Sequence, residues 1–473
     1  MVGVGLGLAG RRREEAPPVV SQAGRAARNA RVARLGGRTG GRYAVHRARS
    51  VFAGADRRRE LEAEFGLKTA EDVAGALGQM KGAMMKLGQM ASYLDQGLPS
   101  PVRQALADLQ QDAPAMAPEL AAQVVEAELG QPPDRLFEEW DPVPIASASI
   151  GQVHRAITRD ERAVAVKVQY PGVDEAIRSD LDNVDLLFGA TGMAFGGLDP
   201  EGLTAELKDR LGEELDYRHE AANQRLFADY YRDHPFIHVP DVVDELSSLR
   251  VLTTDLADGA RFAEAETWDG DERDLAGEAI DRFAFRSLYR LHAFNGDPHP
   301  GNYLFHGGGR VTFLDFGLVK RFTPEEVDLF EAMTRAMVVE RDGVAYRRII
   351  EDAGLLRRDD SLSDEQVADY FSHFYELVLH DRMFTVDPAY ASATIRQMLD
   401  LAGPHGPVLR AANVPPSFVI LQRINLGLFA VLGQLRATAN WRRIGEELWP
   451  FVDAPPSTEL GELEAEWLER RKA

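Results

Sequence analysis

The sequence predicts an α+β protein of two lobes, and three observations carry that prediction. Residues 143–170 and 236–258 read as strands, with β-branched residues, alternation and turn signals. From about Leu275 onward the pattern is mostly helical, and a strand-rich run followed by a helix-rich run argues for a two-lobed α+β unit. The third observation is the stretch NGDPHPGNYLFHGGGRVTFLDFGLVK, Asn295–Lys320, which sets two acids and an amide among prolines and glycines.

Length and charge bound the rest. At 473 residues the chain exceeds one ordinary core, and the 45% apolar share is that of a globular protein. With 54 basic and 75 acidic residues the net charge is −21, which argues against a general nucleic-acid or anionic-membrane binder. The charge is uneven: residues 1–60 hold 14 Arg against Glu14, Glu15, Asp56 and Glu60. That leader reads as basic and disordered, with a phosphate-contacting arm as the alternative. The absence of cysteine excludes disulfides and thiolate chemistry. The opening segment does not read as a secretory signal, because its charges follow the short apolar run. The run Ile424–Leu435 is too short for a bilayer and reads as a core helix. The expectation is a cytoplasmic protein without a transmembrane helix.

Along the chain, residues 61–140 read as a helical extension. Thr69 caps the start of an amphipathic helix, a second restarts after Pro99 and Pro101, and PELAAQVVEAEL is a third. Residues 141–258 read as the strand-bearing lobe. It holds two strands in PIASASIGQVHRAI and RAVAVKVQY, a helical insertion, a long helix over about 201–229 and a hairpin turning near Ser247–Ser248. Residues 259–455 read as the helical lobe and 456–473 as a C-terminal tail.

The chemistry starts at the quoted stretch. Asp297 precedes Asn302 by five residues, and Asp315 opens an Asp-Phe-Gly. That is the protein-kinase order of catalytic loop and metal loop. Mg²⁺ takes hard oxygen ligands and typically uses one or two carboxylates plus substrate phosphates. Asp315 and Asn302 are therefore the candidate metal ligands. Asp297 is the candidate group to orient or deprotonate an attacking hydroxyl or water. Lys167, in VAVK on a predicted strand, matches the lysine that pairs the α/β-phosphates. Its carboxylate partner is sought in ELKDRLGEELDYRHEAANQ, which offers Glu213, Glu214, Asp216 and Glu220, with Glu213 the bystander. On an ideal helix Asp216 and Glu220 share a face, and Glu214 lies roughly 200° from Asp216. Where a kinase covers the phosphates with G-x-G-x-x-G, this chain has PIASASIGQV, in which only Gly151 remains. Cβ atoms at Ala146, Ser147, Ala148 and Ser149 restrict the backbone there, which points away from a conventional protein kinase.

With these residues in hand, the chain resembles the ABC1/UbiB/AarF family of atypical kinases, the coenzyme Q-type or ADCK-like group. The motifs that carry the likeness are MKLGQMAS, ASASIGQVHRA, VAVKV, ELDYRHEAAN, GDPHPGN and LDFG, in the family's order over about Lys81–Lys320. The resemblance implies a bilobal protein kinase-like fold with an N-terminal helical K-x-G-Q extension across the active site. It implies an ion pair of Lys167 with Glu220, and Lys86 and Gln89 in the extension with Glu214 and Asp216 as partners. It also implies adenine contacts from the backbone of Asp255 to Ala257, with Thr254 as gatekeeper. ATP or ADP and Mg²⁺ are the implied cofactors. The implied partners are a nucleotide and a lipid or quinone precursor, or a membrane surface that the protein meets peripherally; no sequence-specific nucleic acid is expected. Two positions depart from the pattern: Ser147 stands where Ala is usual, and Asn295 where the catalytic loop has His. His299 is expected to position its loop rather than bind metal.

The leading expectation is an ATP- and Mg²⁺-binding atypical kinase or ATPase that supports isoprenoid-quinone or other lipid metabolism. One alternative is a small-molecule phosphotransferase of the aminoglycoside or choline kinase type, which shares the GD-x-HPGN loop but lacks the K-x-G-Q helix. The other is a nucleotide-gated, non-catalytic scaffold. The oligomeric state is left open by the sequence.

Overall fold

The computed structural model describes residues 116–148, 150–174, 212, 215–359, 361–390, 403–413 and 416–472. The basic leader, the K-x-G-Q helices with Lys86 and Gln89, Ser149, the helical insertion, Glu213 and Glu214 lie outside the described residues. The chain divides into two compact units, the first holding 116–155 and 167–174 of the described residues, the second 156–166, 212 and everything from 215 on.

In the first unit, helix α1 (Pro118–Leu129) starts with proline at its first turn, where no amide hydrogen is needed. It ends at Gly130, whose φ of 78° only glycine adopts freely. Ala121, Val124 and Val125 form its buried face. Strand β1 (Phe137–Ala148) leads to β2 (Gly151–Thr158), and β3 (Ala163–Gln169) follows the turn at Arg159–Asp160. The three are neighbours in that order. PIASASIGQVHRAI was expected as one strand; it is instead the end of β1, a turn, and most of β2. Gly151 opens β2 because a Cβ there would overlap the Val168 carbonyl, so the glycine serves close strand approach. Buried polar groups tie this unit together. Met116 N–H donates to Gln152 Oε1 at 2.8 Å, Gln152 Nε2 pairs with His154 Nε2 at 2.8 Å, and His154 Nδ1 meets the Asp141 carbonyl at 2.9 Å. Burial holds the His154 imidazole below its ordinary pKa, and Trp140 stacks on its ring at 4.7 Å.

The second unit opens with helix α2 (Tyr217–Tyr230), short β4 (Ile237–His238) and β5 (Val251–Asp255). The expected hairpin is present: Val243 N–H donates to Thr253 O and Ser248 N–H to Val251 O. The long helix expected over about 201–229 does not run through, since α2 begins only after Asp216. After β6 (Ala260–Arg261) comes the 22-residue helix α3 (Gly270–Leu291), capped by the Asp269 side chain and ended by His292 at φ 49°. Strands β7 (Ala293–Asn295), β8 (Tyr303–Phe305), β9 (Val311–Phe313) and β10 (Val319–Arg321) carry the quoted loop.

The helices α4 (Pro324–Thr334), α5 (Gly343–Asp352), α6 (Asp364–Ser372), α7 (Pro416–Leu435), α8 (Trp441–Leu448) and α9 (Glu459–Lys472) follow. A capping box of Thr323 and Glu326 starts α4, which passes into a π-helical turn at Arg335–Glu340. The core runs from Phe227 to Trp467 and includes Leu428, Val431, Leu432 and Leu435 of α7, at the spacing expected of a core helix. No helix among the described residues is long and apolar enough to cross a membrane.

Residues 456–473, expected as a tail, include α9. Its Glu464 is 1% exposed and receives Arg282 and Arg286 of α3, each at 2.9 Å. Arg282 also binds Glu278 at 2.7 Å and Glu447 of α8 at 2.8 Å. Burial alone would raise the Glu464 pKa, but Arg286, His234 and Arg282 outweigh it and hold this carboxyl well below the usual range.

Candidate functional site

Two antiparallel ladders bring the loop residues together. Asn295 of β7 is registered with Val319 of β10, and Tyr303 of β8 with Phe313 of β9. The segment with Asp297 and Asn302 joins β7 to β8, and the segment with Asp315 joins β9 to β10. Pairing the four strands in this way forces the two segments side by side. Backbone bonds then lock them: Gly296 N–H donates to Leu318 O at 2.6 Å and Leu314 N–H to Asn302 O at 2.9 Å. A Cβ on Gly296 would lie 3.0 Å from both the Leu318 carbonyl oxygen and its Cγ, which is why a glycine precedes Asp297.

The side chains continue the same logic. Asn295 Nδ2 donates to the Asp315 carbonyl at 3.1 Å, while its Oδ1 accepts from Asp297 N–H at 3.2 Å. Asn302 Nδ2 donates to the Asp297 carbonyl at 3.0 Å, which leaves its amide oxygen as the end fit for a cation. Asp315 adopts φ 59°, a left-handed conformation that costs a non-glycine residue energy and marks functional sites. Its Oδ1 accepts from Gly317 N–H at 3.1 Å. Asp297, Asn302 and Asp315 are all half-buried, open to solvent yet held by neighbours. His299 spends Nδ1 on Gly301 N–H at 3.0 Å, a loop-positioning bond as expected.

Helix α2 docks on the Asp-Phe-Gly segment with one face. Glu220 is 6% exposed, and its carboxylate lies beside Gly317, 3.5 Å from where a Cβ would stand. Asn223 Nδ2 donates to Phe316 O at 3.1 Å, and the Phe227 ring sits 4.9 Å from that of Phe316. Positions 220, 223 and 227 share a helix face.

Asp216 does not join Glu220 there, and this corrects the ideal-helix expectation. It is the N-cap of α2, at φ −115° and ψ 95°, where a short acidic side chain satisfies free amides. Its carboxylate accepts from Arg218 N–H at 3.0 Å and from Arg218 Nε and Nη2 at 2.8 and 2.7 Å. The Arg218 hydrogen bond holds the Asp216 pKa below its ordinary value.

In the linking segment, Asp255 N–H is spent on Asp241 O at 2.9 Å and Leu256 N–H on Ala163 O at 3.0 Å, while the Asp255 side chain pairs with Arg162. The Asp255 carbonyl accepts from the Thr254 hydroxyl at 3.3 Å. In the first unit, Lys167 is half-buried on β3, and Ala146, Ser147 and Ala148 end β1, the first two exposed.

Three contributors escaped the sequence reading. Asn223 was visible only as the residue three beyond Glu220, and the bridging role of Asn295 was hidden behind a missing histidine. The third is Gly427 of α7, where a Cβ would overlap the Pro298 ring. Only glycine lets this distant helix back up the loop of Asp297 so closely.

A family model for the ABC1 atypical kinase-like domain matches residues 108–349. The atypical kinase COQ8B, mitochondrial, of Rattus norvegicus is 37% identical over 287 residues, 59% of this chain and 53% of the relative. The atypical kinase COQ8, mitochondrial, of Saccharomyces cerevisiae is 29% identical over 282 residues, 59% of this chain and 56% of the relative. The chain thus spans about half the length of these curated relatives. The solved Rv3197–erythromycin complex from Mycobacterium tuberculosis superposes with a TM-score of 0.61 at 32% identity, covering 83% of this chain and 98% of that one. With an α+β kinase-like fold and these matches, the chain belongs to the ABC1 atypical kinase-like family.

Proposed function

We propose that this protein is an ATP- or ADP-dependent, Mg²⁺-dependent atypical kinase or ATPase serving isoprenoid-quinone or other lipid metabolism. The observation that carries the reading is the pair of ladders that set Asp297, Asn302 and Asp315 on adjoining segments, bridged by Asn295. The donor set fits Mg²⁺: all three side chains offer hard oxygen. Among the described residues no group of three or more His, Asp or Glu side chains is placed to hold a metal ion by itself. A cation held by a carboxylate and an amide keeps open positions for phosphate oxygens or water.

In this reading Asp315 and the Asn302 amide oxygen hold the metal, which supplies charge neutralisation on the phosphates when bound. Asp297 orients the attacking hydroxyl or water and accepts its proton. Glu220, held against the Asp-Phe-Gly segment by its helix, is the partner of Lys167, and Lys167 steadies the α/β-phosphates. The Asp255 carbonyl and the Ala257 N–H receive the adenine edge, and Ala146 to Ser149 with Gly151 cover the phosphates. Lys86 and Gln89, with Glu214 and Asp216, belong to the K-x-G-Q regulation. The relatives named as atypical kinases support the kinase class; the lipid- or quinone-linked role, with a membrane surface met peripherally, is part of the same proposal.

The test is a nucleotide-dependent thermal shift with and without Mg²⁺. Nucleotide at about 100 times its Kd should stabilise by ~2.7 kcal/mol. Asp315→Asn should remove the Mg²⁺-dependent part of the shift and the hydrolysis of ATP. No nucleotide effect in the wild type would end the proposal.

A further inference from the structure

The helical core holds a cavity of about 140 Å³ that the nucleotide chemistry does not use. Its walls are aromatic: Phe285 and Tyr289 of α3, Phe330 of α4, Phe429 of α7 and Trp449 just beyond α8. A cavity of about 150 Å³ with apolar walls is large enough for one benzene ring.

Two oxygen-bearing side chains on this wall, Asp281 and Asn425, face the space with an acceptor that no donor fills. Asp281 of α3 lines it and is 4% exposed, with Arg282 and Glu278 as its charged neighbours on the same helix. Arg282 is already bound to three carboxylates, so it is not a dedicated partner for Asp281. No hydrogen bond to the Asp281 carboxyl is formed among the described residues, and burial pushes its pKa up to about 7. Asn425 of α7 also lines the cavity, with its Oδ1 buried and unpaired. A carboxyl and an amide oxygen are acceptors that call for a donor, and aromatic faces favour a cation.

We propose that this cavity is a binding site for a small apolar amine of about one ring, its ammonium group received by Asp281 and Asn425 within the aromatic walls. The site lies apart from the residues assigned to nucleotide chemistry, so its fate does not depend on theirs. An alcohol would satisfy Asn425 but leave the carboxyl without a counter-charge; a hydrocarbon would satisfy neither.

The experiment titrates benzylamine and, separately, ethylbenzene into the full-length protein at neutral pH without nucleotide, reading the melting temperature. Benzylamine should raise it saturably, and ethylbenzene, its near-isostere without the amine, should not. Asp281→Asn should abolish the response while still melting cooperatively. Asn425→Leu should weaken the apparent affinity at least tenfold, and it carries the test if Asp281→Asn does not fold. The proposal is overturned by no benzylamine shift, by an equal shift with ethylbenzene, or by wild-type affinity in the folded variants.

Discussion

The side-chain amide of Asn295 donates to the backbone carbonyl of Asp315 at 3.1 Å, and the same side chain accepts from the Asp297 amide. One residue thereby sets the spacing of two acids that lie 18 positions apart in the chain. The usual histidine at this position is replaced without losing a donor. Asn295→Leu should lower ATP turnover about 100-fold, because a displacement of about 1 Å costs that much, with nucleotide affinity changed little. Asn295→His should keep most of the rate. Steady-state turnover beside nucleotide thermal shift separates the two effects.

Gly427 tests the contact between α7 and the loop of Asp297. Gly427→Val places bulk where Pro298 stands, and a proline ring has little room to yield. A loss of ~1–3 kcal/mol is the scale for overpacking of this kind. Chemical denaturation should show it, and turnover should fall further than stability alone accounts for.

Removing Glu464 probes the C-terminal helix. Glu464→Ala leaves the buried guanidinium groups of Arg282 and Arg286 short of their shared carboxylate. Breaking a buried pair from one side costs about 3–5 kcal/mol. The variant should melt well below wild type, whereas Glu469→Ala on the exposed face of the same helix should be nearly neutral.

Asp281 gives a signed pH dependence in the absence of ligand. Its pKa rises from 3.8 to about 7 in the folded state. Between these values the folded protein holds a proton that the unfolded chain has released, so stability falls as pH rises through that window. Asp281→Asn should therefore match wild type near the lower limit and exceed it above the upper one, by ~4 kcal/mol at most. Urea denaturation at both ends measures it, and an advantage at the acidic end instead would contradict the assignment.

Much of the site was legible because its chemistry is local. The five-residue step from Asp297 to Asn302, the Asp-Phe-Gly and VAVK are each contained in one short segment, and the oxygen ligands that Mg²⁺ requires name themselves. The start of α2 was not legible, since Asp216 suits a helix surface and an N-cap equally well until the preceding backbone is known. Gly151 read as the remnant of a phosphate loop, yet its position is required by Val168 of the neighbouring strand.

What the sequence by itself determined is the inventory: the fold class, the order of motifs and the chemical types of the candidate ligands, all of which follow from residue identity and short-range spacing. Tertiary structure alone decided which distant residues support them. Asn223 reaches Phe316, Gly427 admits Pro298, and Glu464 receives Arg282 and Arg286 across separations of 93, 129, 182 and 178 residues. The physical reason is that close packing and the pairing of buried charge depend on what lies opposite in space, which local periodicity does not encode.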